Sequence, residues 1–389
     1  MRRIELDAIL GAMLQSYEGI SDLNFSVGRP LQVEAYGDLK PIAVEPAIDA
    51  LTAYQTEQIA MNIIGTNRRL LRELLMFGSC DCSYALQDQA RFRVNIFKQR
   101  GNIAIVMRRL ESNIPTMEQL GLPAIFKDIA GERTGLVLVT GATGSGKTTT
   151  LAAVLNEINE QKAFHMITLE DPIEFVHPHK MSTFNQRELG ADFETFPVGL
   201  KAALRQAPKV ILVGEMRDRA TVEIAMTAAE TGHLVLSTLH TIDAGQSINR
   251  ILGMFELEEE KQIRLRLADT LRYVVSQRLA PKISGGRQLI MEILGNNLRT
   301  RETIALGEAE GRSFYEIIEA NEPFGWLTFD QCLIEAYRDG NITEETCMNF
   351  STKKGQMTRS LDAVKKERGE GIEEASGLNL DLATTIHRK

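Results

Sequence analysis

The chain has 389 residues, enough for two or three domains at a prior of about 150 residues each. Hydrophobic residues at 43% and charged residues at 25% are those of an ordinary soluble globular protein, not of a disordered or fibrous one. A net charge of −8 lacks the basic excess that marks a nucleic-acid-binding domain, and four cysteines in a chain this long build no disulfide framework.

No apolar run approaches the roughly 18 residues that a membrane-spanning helix needs. MRRIELDAIL brings acidic residues straight after its two arginines, unlike a secretory signal. The expectation is a cytoplasmic protein without a transmembrane segment. No internal repeat of about 20–50 residues points to a solenoid or propeller.

Residues 4–17 space Ile4, Ile9, Leu10, Met13 and Leu14 as one apolar helical face. LNFSVGRPLQVEAYGDLKPI reads as short strands broken at Gly28, Pro30, Gly37 and Pro41. Asp49 to Phe77 reads as one or two helices with Leu51, Ile59, Ile63, Ile64 and Leu70 inward. CSYALQDQARFRVNIFKQRGNIAIVMRRL is an antiparallel meander with turns at Asp88-Gln89 and Arg100-Gly101-Asn102. Phe92, Val94 and Ile96 alternate with Arg91, Arg93 and Asn95, so the two arginines leave one face of one strand. The polar, proline-containing ESNIPTMEQLGLP then reads as a linker over about 111–122.

Beyond it the pattern changes. GLVLVTG, FHMITLED, KVILVGE, HLVLSTLH and QLIMEIL are near-continuous apolar runs alternating with helical segments, the pattern of a mostly parallel sheet covered on both faces. Residues 258–273 read as a charged amphipathic helix with Ile263, Leu267 and Leu271 on one face. Phe324, Trp326 and Phe329 read as core. The stretch 123–350 is one α/β unit with C-terminal helices, and 351–389, with KKERGEGIEEASG, reads as a polar and partly disordered tail.

The chemistry begins at Gly141-Ala-Thr-Gly-Ser-Gly146-Lys147-Thr148. This loop follows a strand and opens a helix, the context of a phosphate-binding Walker A loop. Its backbone N–H groups and the helix dipole cradle phosphates, Lys147 reaches the β- and γ-phosphates, and the Thr148 hydroxyl takes Mg2+. The nucleotide-binding set is Gly141, Thr143, Gly144, Ser145, Gly146, Lys147, Thr148 and Thr149. Val210-Ile-Leu-Val-Gly214-Glu215 ends an apolar strand in a carboxylate, where open α/β sheets place their ligands. Glu215 there can hold the Mg2+ water shell or activate the attacking water. Glu170, Asp171 and Glu174 crowd the end of another strand, either as a solvated loop or as a group that orients metal and water. His233 and His240 flank the last strand of the set, either as satisfied core histidines or as a γ-phosphate sensor at the strand's end. His177 and His179 in VHPHK read as a surface loop, and the cysteines as buried structural thiols.

In order, the Walker A loop, TLEDPIEFVH, ILVGEMRD and AETGHLVLSTLHT resemble the four signature elements of the secretion and pilus ATPase superfamily. Within it, GEMRD, RFRVNIFKQRG, IPTMEQLGLP and LTFDQCL are similar to the type IV pilus retraction ATPases of the PilT/PilU group, over roughly 20–350. That resemblance implies an α/β chain with an N-terminal PAS-like domain (1–110) and a C-terminal RecA-like P-loop domain. It implies a homo-hexameric motor that uses ATP and Mg2+ to power pilus retraction and twitching motility. Glu174 falls on the general base, Glu215 on the Walker B position and His233 and His240 on the His box. Arg93, Arg100 and Arg108 fall on arginines that reach the nucleotide between subunits. The implied partners are an inner-membrane pilus platform protein, to which the ring is peripheral, and a second retraction ATPase; no nucleic acid is among them. The stretch NNLRTRETIALGEAEGRSF departs from the AIRNLIRE-like motif common in PilT, and RLESNIPT, VHPHK and LRQAP lean toward PilU. An accessory role beside a stronger motor, or a related secretion or DNA-transfer ATPase, is the alternative.

Overall fold

One change in hydrophobic rhythm, from alternating to continuous, sets the architecture. The computed structural model describes residues 3–44, 47–87, 89–110 and 113–369. The first sheet has the order β3-β2-β1-β6-β5-β4, with β1 at Ile20–Phe25, β2 at Gln32–Ala35, β3 at Asp38–Pro41, β4 at Ser79–Leu86, β5 at Ala90–Gln99 and β6 at Asn102–Leu110. Every neighbouring pair is antiparallel. Along β5, Phe92, Val94 and Ile96 are buried while Arg93 is exposed, as half-buried strands require.

Three helices cover this sheet: α1 (Arg3–Gln15), α2 (Ala53–Ile64) and α3 (Arg68–Phe77). Thr52 and Gln55 form a reciprocal capping box at the start of α2. Asn67 accepts from the backbone N–H groups of Arg69 and Leu70 to start α3, and Gly78, at φ 81°, stops it. The inward stripe of α1 is Leu6, Leu10 and Met13; Ile4, expected inside, is 79% exposed at the helix start.

The second sheet has the order β13-β12-β7-β11-β10-β8-β9. Its strands are β7 (Gly135–Thr140), β8 (His165–Glu170), β9 (Thr183–Glu188), β10 (Val210–Val213), β11 (Leu234–Leu239), β12 (Leu271–Pro281) and β13 (Arg287–Gly295). Only the β12–β13 pair is antiparallel. Every residue of β7, β10 and β11 is buried, which accounts for their unbroken apolar text. Helices α4 (Ile125–Gly131), α5 (Lys147–Gln161), α6 (Phe196–Ala203), α7 (Arg219–Glu230), α8 (Ala244–Leu252) and α9 (Leu257–Thr270) accompany these strands. Then come α10 (Leu298–Leu306), α11 (Phe314–Ala320), α12 (Phe329–Arg338), α13 (Glu344–Phe350) and α14 (Lys354–Glu367). Among the described residues no helix is long and apolar enough to cross a membrane.

Four expectations are corrected. The charged helix ends at Thr270, and Leu271 begins β12 instead of completing a helical face. Phe324 is exposed, whereas Trp326 packs over Gly295 and Phe329 is fully buried beneath the Arg278 guanidinium. Part of the expected disordered tail is α14, whose Met357, Leu361 and Val364 pack with Phe329, Leu333 and Cys347; residues 370–389 lie outside the described residues. His177 is not a surface residue: it is 7% exposed and stacks on Phe184 with ring centroids 4.3 Å apart.

Candidate nucleotide site

Parallel strands deliver their C-terminal ends to one edge. At that edge β7 runs into the Gly141–Gly146 loop, β8 into Asp171 and Glu174, β10 into Glu215 and β11 into His240. A cleft of about 600 Å3 gathers Lys147, Thr148, Glu174, Glu215 and His240, with Thr143, Gly144, Gly146 and Thr149 along its loop side.

The loop is shaped by backbone that side chains would spoil. At Gly141, φ is 145° and a Cβ would stand 2.5 Å from the Gln277 carbonyl oxygen and 2.5 Å from Ser145 Oγ. Gly146, at φ 88°, turns the chain into α5. Lys147 Nζ donates to the Gly141 and Ala142 carbonyls at 2.9 and 3.0 Å. Burial lowers the Lys147 pKa, while Glu174 and Glu215 oppose the shift. Ser145 Oγ is buried without a hydrogen-bond partner. A buried lysine and an unpaired hydroxyl in a glycine-shaped loop fit a phosphate chain.

The opposite wall is held from beneath. Gly214 N donates to Leu169 O at 2.7 Å, and Thr238 Oγ1 donates to Gly214 O at 2.6 Å, fixing the backbone before Glu215. Arg217 meets one Glu215 oxygen at 2.6 Å and His240 lies 3.7 Å from the other. On β8, Glu170 accepts from Thr168 at 2.6 Å and from Gln186 at 3.0 Å; burial raises its pKa. Burial also raises the pKa of Asp171, with Glu215 adding to the shift and Arg217 and Arg93 opposing it. All three carboxylates line the cleft, but Glu170, 6% exposed and held by Thr168 and Gln186, is the one anchored in the fold.

The structure redistributes two groups of expected site residues. His233 precedes β11, so the whole six-residue strand separates it from His240, about 20 Å at the usual rise. Its Nδ1 pairs with Ala228 O at 3.0 Å, and it takes no part in this chain's cleft. Arg93 lines the cleft of its own chain. Arg108 is its register partner on β6, yet Asp22, opposite on β1, captures the Arg108 side chain at 3.0 Å. Arg100 sits in the β5–β6 turn at φ 48°. Neither Arg100 nor Arg108 lines the cleft of its own chain. Arg217 was missed as a site residue although it lies in the GEMRD text two residues past Glu215.

Residues 81–318 match the family described as type II/IV secretion system protein. This chain belongs to that family. Within it, the chain is 41% identical over 328 residues to the type IV pilus retraction ATPase PilT of Pseudomonas aeruginosa, covering 84% of this chain and 93% of PilT. It is 37% identical over 381 residues to the type IV pilus ATPase PilU of the same organism, covering 97% of each. The crystal structure of the pilus retraction motor PilT with bound ADP superposes with a TM-score of 0.80 at 39% identity, over 91% of this chain and 98% of that one. The Legionella pneumophila ATPase DotB gives 0.77 at 28% identity, over 89% and 95%. The secretion ATPase fold, an N-terminal domain followed by an ATPase domain, is therefore the fold of this chain, and its relatives PilT and PilU are ATPases of type IV pili.

Proposed function

We propose that this chain is an ATP hydrolase of the type IV pilus machine, a hexameric motor that turns hydrolysis into movement between its two domains and so powers retraction and twitching motility. The observation that carries the reading is the convergence of Lys147, Glu174, Glu215 and His240 on one cleft at the strand ends. The domains behind it are 1–110, a linker at 111–122, and the ATPase unit at 123–350.

The backbone of Gly141 to Gly146, with Ser145 and Lys147, binds the phosphates; Thr143 and Thr149 complete the cradle. Thr148 and Glu215 would hold Mg2+, which supplies charge neutralisation at the phosphates. Glu174, in the loop after β8, takes the proton of the attacking water, and its distance from the phosphate loop is set by the neighbouring strands. His240 senses the γ-phosphate beside Glu215. Phosphoryl transfer asks the protein mainly for positioning and charge stabilisation, and this residue set supplies both. In a ring, Arg93, Arg100 and Arg108 of one subunit would approach the nucleotide of the next. An arginine in such a position is worth on the order of 10³–10⁵ in rate. The pilus platform protein at the inner membrane is the proposed load, with the ring on the cytoplasmic side.

A second reading is an accessory ATPase beside a stronger motor, favoured by the match to PilU over 97% of both chains. ATP turnover of the purified protein, measured beside Glu174→Gln and Glu215→Ala with the mass determined under the same conditions, tests both. Turnover by a six-subunit species, abolished in either variant, supports the independent motor. A hexamer that binds ATP and barely turns over, with variants no slower, overturns it in favour of the accessory role.

A further inference from the structure

The loop that carries Glu174 has no regular structure between Asp171 and Lys180, so something else must hold it. Two side chains of β9 do. Gln186 Nε2 donates to Phe175 O at 2.8 Å and to the Glu170 carboxylate at 3.0 Å, while its Oε1 accepts from His177 N at 2.8 Å. Glu188, 7% exposed, accepts from Ile173 N at 3.3 Å, one residue before Glu174.

Glu188 also faces the N-terminal sheet. Arg91 on β5 reaches the same Glu188 oxygen at 2.6 Å, and Ser83 on β4 donates to the other at 2.7 Å. Arg91 and Ser83 are themselves 3.1 Å apart. Arg93, two residues along β5 and so on the same face as Arg91, lines the nucleotide cleft. One strand of the N-terminal sheet therefore touches the site twice, directly through Arg93 and through the Arg91–Glu188 pair.

We infer that Glu188 and Gln186 are positioning residues for the proposed base Glu174, and that Arg91 makes the placement of that base depend on how the N-terminal sheet sits on the ATPase sheet. The inference rests on the role of Glu174 given above. Its physics is that of a buried ion pair. A nearly buried carboxylate that loses its arginine is left uncompensated and must find other donors, so it abandons the geometry that holds Ile173. Domain separation breaks the pair without breaking the Gln186 bonds, since these lie within the ATPase sheet. A loop clamped at Phe175 and His177 but released at Ile173 keeps its course and loses the register of the residue between.

The test uses the full chain with Arg91→Ala, Glu188→Ala, Glu188→Gln and Glu174→Gln, measuring kcat and KM for ATP and hydrogen exchange over 173–177. Arg91→Ala and Glu188→Ala are expected to lower kcat about ten- to a hundredfold, the effect of misplacing a catalytic group by roughly 1 Å. KM should stay within about twofold, because phosphate binding is untouched. Exchange over 173–177 should rise in both. Glu188→Gln, which keeps an acceptor for Ile173, should fall between wild type and Glu188→Ala. The double variant of Arg91 and Glu188 should be no slower than the slower single variant, as for residues acting as one unit. Unchanged kcat and exchange in Arg91→Ala, with turnover abolished in Glu174→Gln, overturns the inference and leaves the function standing. A rise in KM at constant kcat overturns it too. If Glu174→Gln turns over normally, the base assignment fails, and exchange alone then decides whether Arg91 and Glu188 hold the loop. If Glu188→Ala does not fold, Arg91→Ala and Glu188→Gln decide, because Arg91 is the more exposed partner at 22% and the glutamine keeps an acceptor without the charge.

Discussion

His240 Nε2 stands 3.7 Å from one oxygen of Glu215, while Arg217 takes the other at 2.6 Å. Burial, then the positive charges of Lys147 and Arg217, lower the His240 pKa, and Glu215 opposes them only in part. The imidazole is therefore neutral at pH 7 and can donate one hydrogen bond toward the cleft. His240→Ala is expected to lower kcat by about 10²–10³, the usual cost of one preorganised donor, with a smaller change in KM. Steady-state ATP turnover checks it. Arg217→Ala, by contrast, removes a guanidinium that is 73% exposed and should cost about 1 kcal/mol in urea unfolding.

Gly141→Ala places a methyl group 2.5 Å from both the Gln277 carbonyl and Ser145 Oγ, in a backbone conformation that side chains resist. The carbonyl belongs to β12 and cannot yield cheaply. The variant should lose about 1–3 kcal/mol in urea unfolding, as overpacked sites do, together with most of its affinity for a fluorescent nucleotide. Normal affinity would mean that β12 gives way.

Glu292 on β13 accepts from Ala244 N, at the start of α8, at 2.9 Å. Burial pushes its pKa up to about 7; the Ala244 bond and Arg278 oppose the shift, whereas Asp243 and Asp330 add to it. The folded state thus binds the proton more tightly than the unfolded one, so stability is full below about pH 4.5 and declines as pH rises toward 7. Glu292→Gln stays neutral and keeps an acceptor oxygen. Its Tm should match wild type near pH 5 and exceed it at pH 8, by a difference worth on the order of 2–3 kcal/mol.

His177 shows the opposite sign. Burial, with Lys180 adding to it, pushes its pKa down from 6.5 to about 4, so the unfolded chain takes the proton first. The stability this residue confers is complete above pH 6.5 and is lost as pH falls toward 4. His177→Phe keeps the stack on Phe184 and has nothing to protonate. Thermal melts of both proteins between pH 7 and 4.5 should show the smaller loss in the variant.

The central sheet was legible because β7, β8, β10 and β11 are buried on both faces and so spell apolar runs. The phosphate loop was legible because glycines are required where backbone approaches itself, as at Gly141. β9 was not, since TFNQRE is a polar edge strand in which Phe184 and Glu188 alone are buried. Its contribution to the site comes from Gln186 and Glu188, residue types that usually mean solvent. β12 was misread because no glycine or proline separates Thr270 from Leu271, and the helical rhythm of Ile263 and Leu267 runs on across the boundary. His233 and His240 looked like a pair because seven positions are short in text; in an extended strand they lie at opposite edges of a layer. Spacing places Arg93 on the open face of β5 but carries no information about which subunit's cleft its side chain enters.

The last described helix changes how the protein should be handled at the bench. Met357, Leu361 and Val364 of α14 cover Leu333 and Cys347 as well as Phe329, which sits under Arg278 on β12. A shortened gene ending at Phe350 would express a protein with that apolar seam bare, next to the strand whose Gln277 steadies α5 through Thr150 at 2.8 Å. Poor yield or inactivity from such a truncation would then report a peeled-off last layer, not a missing functional tail.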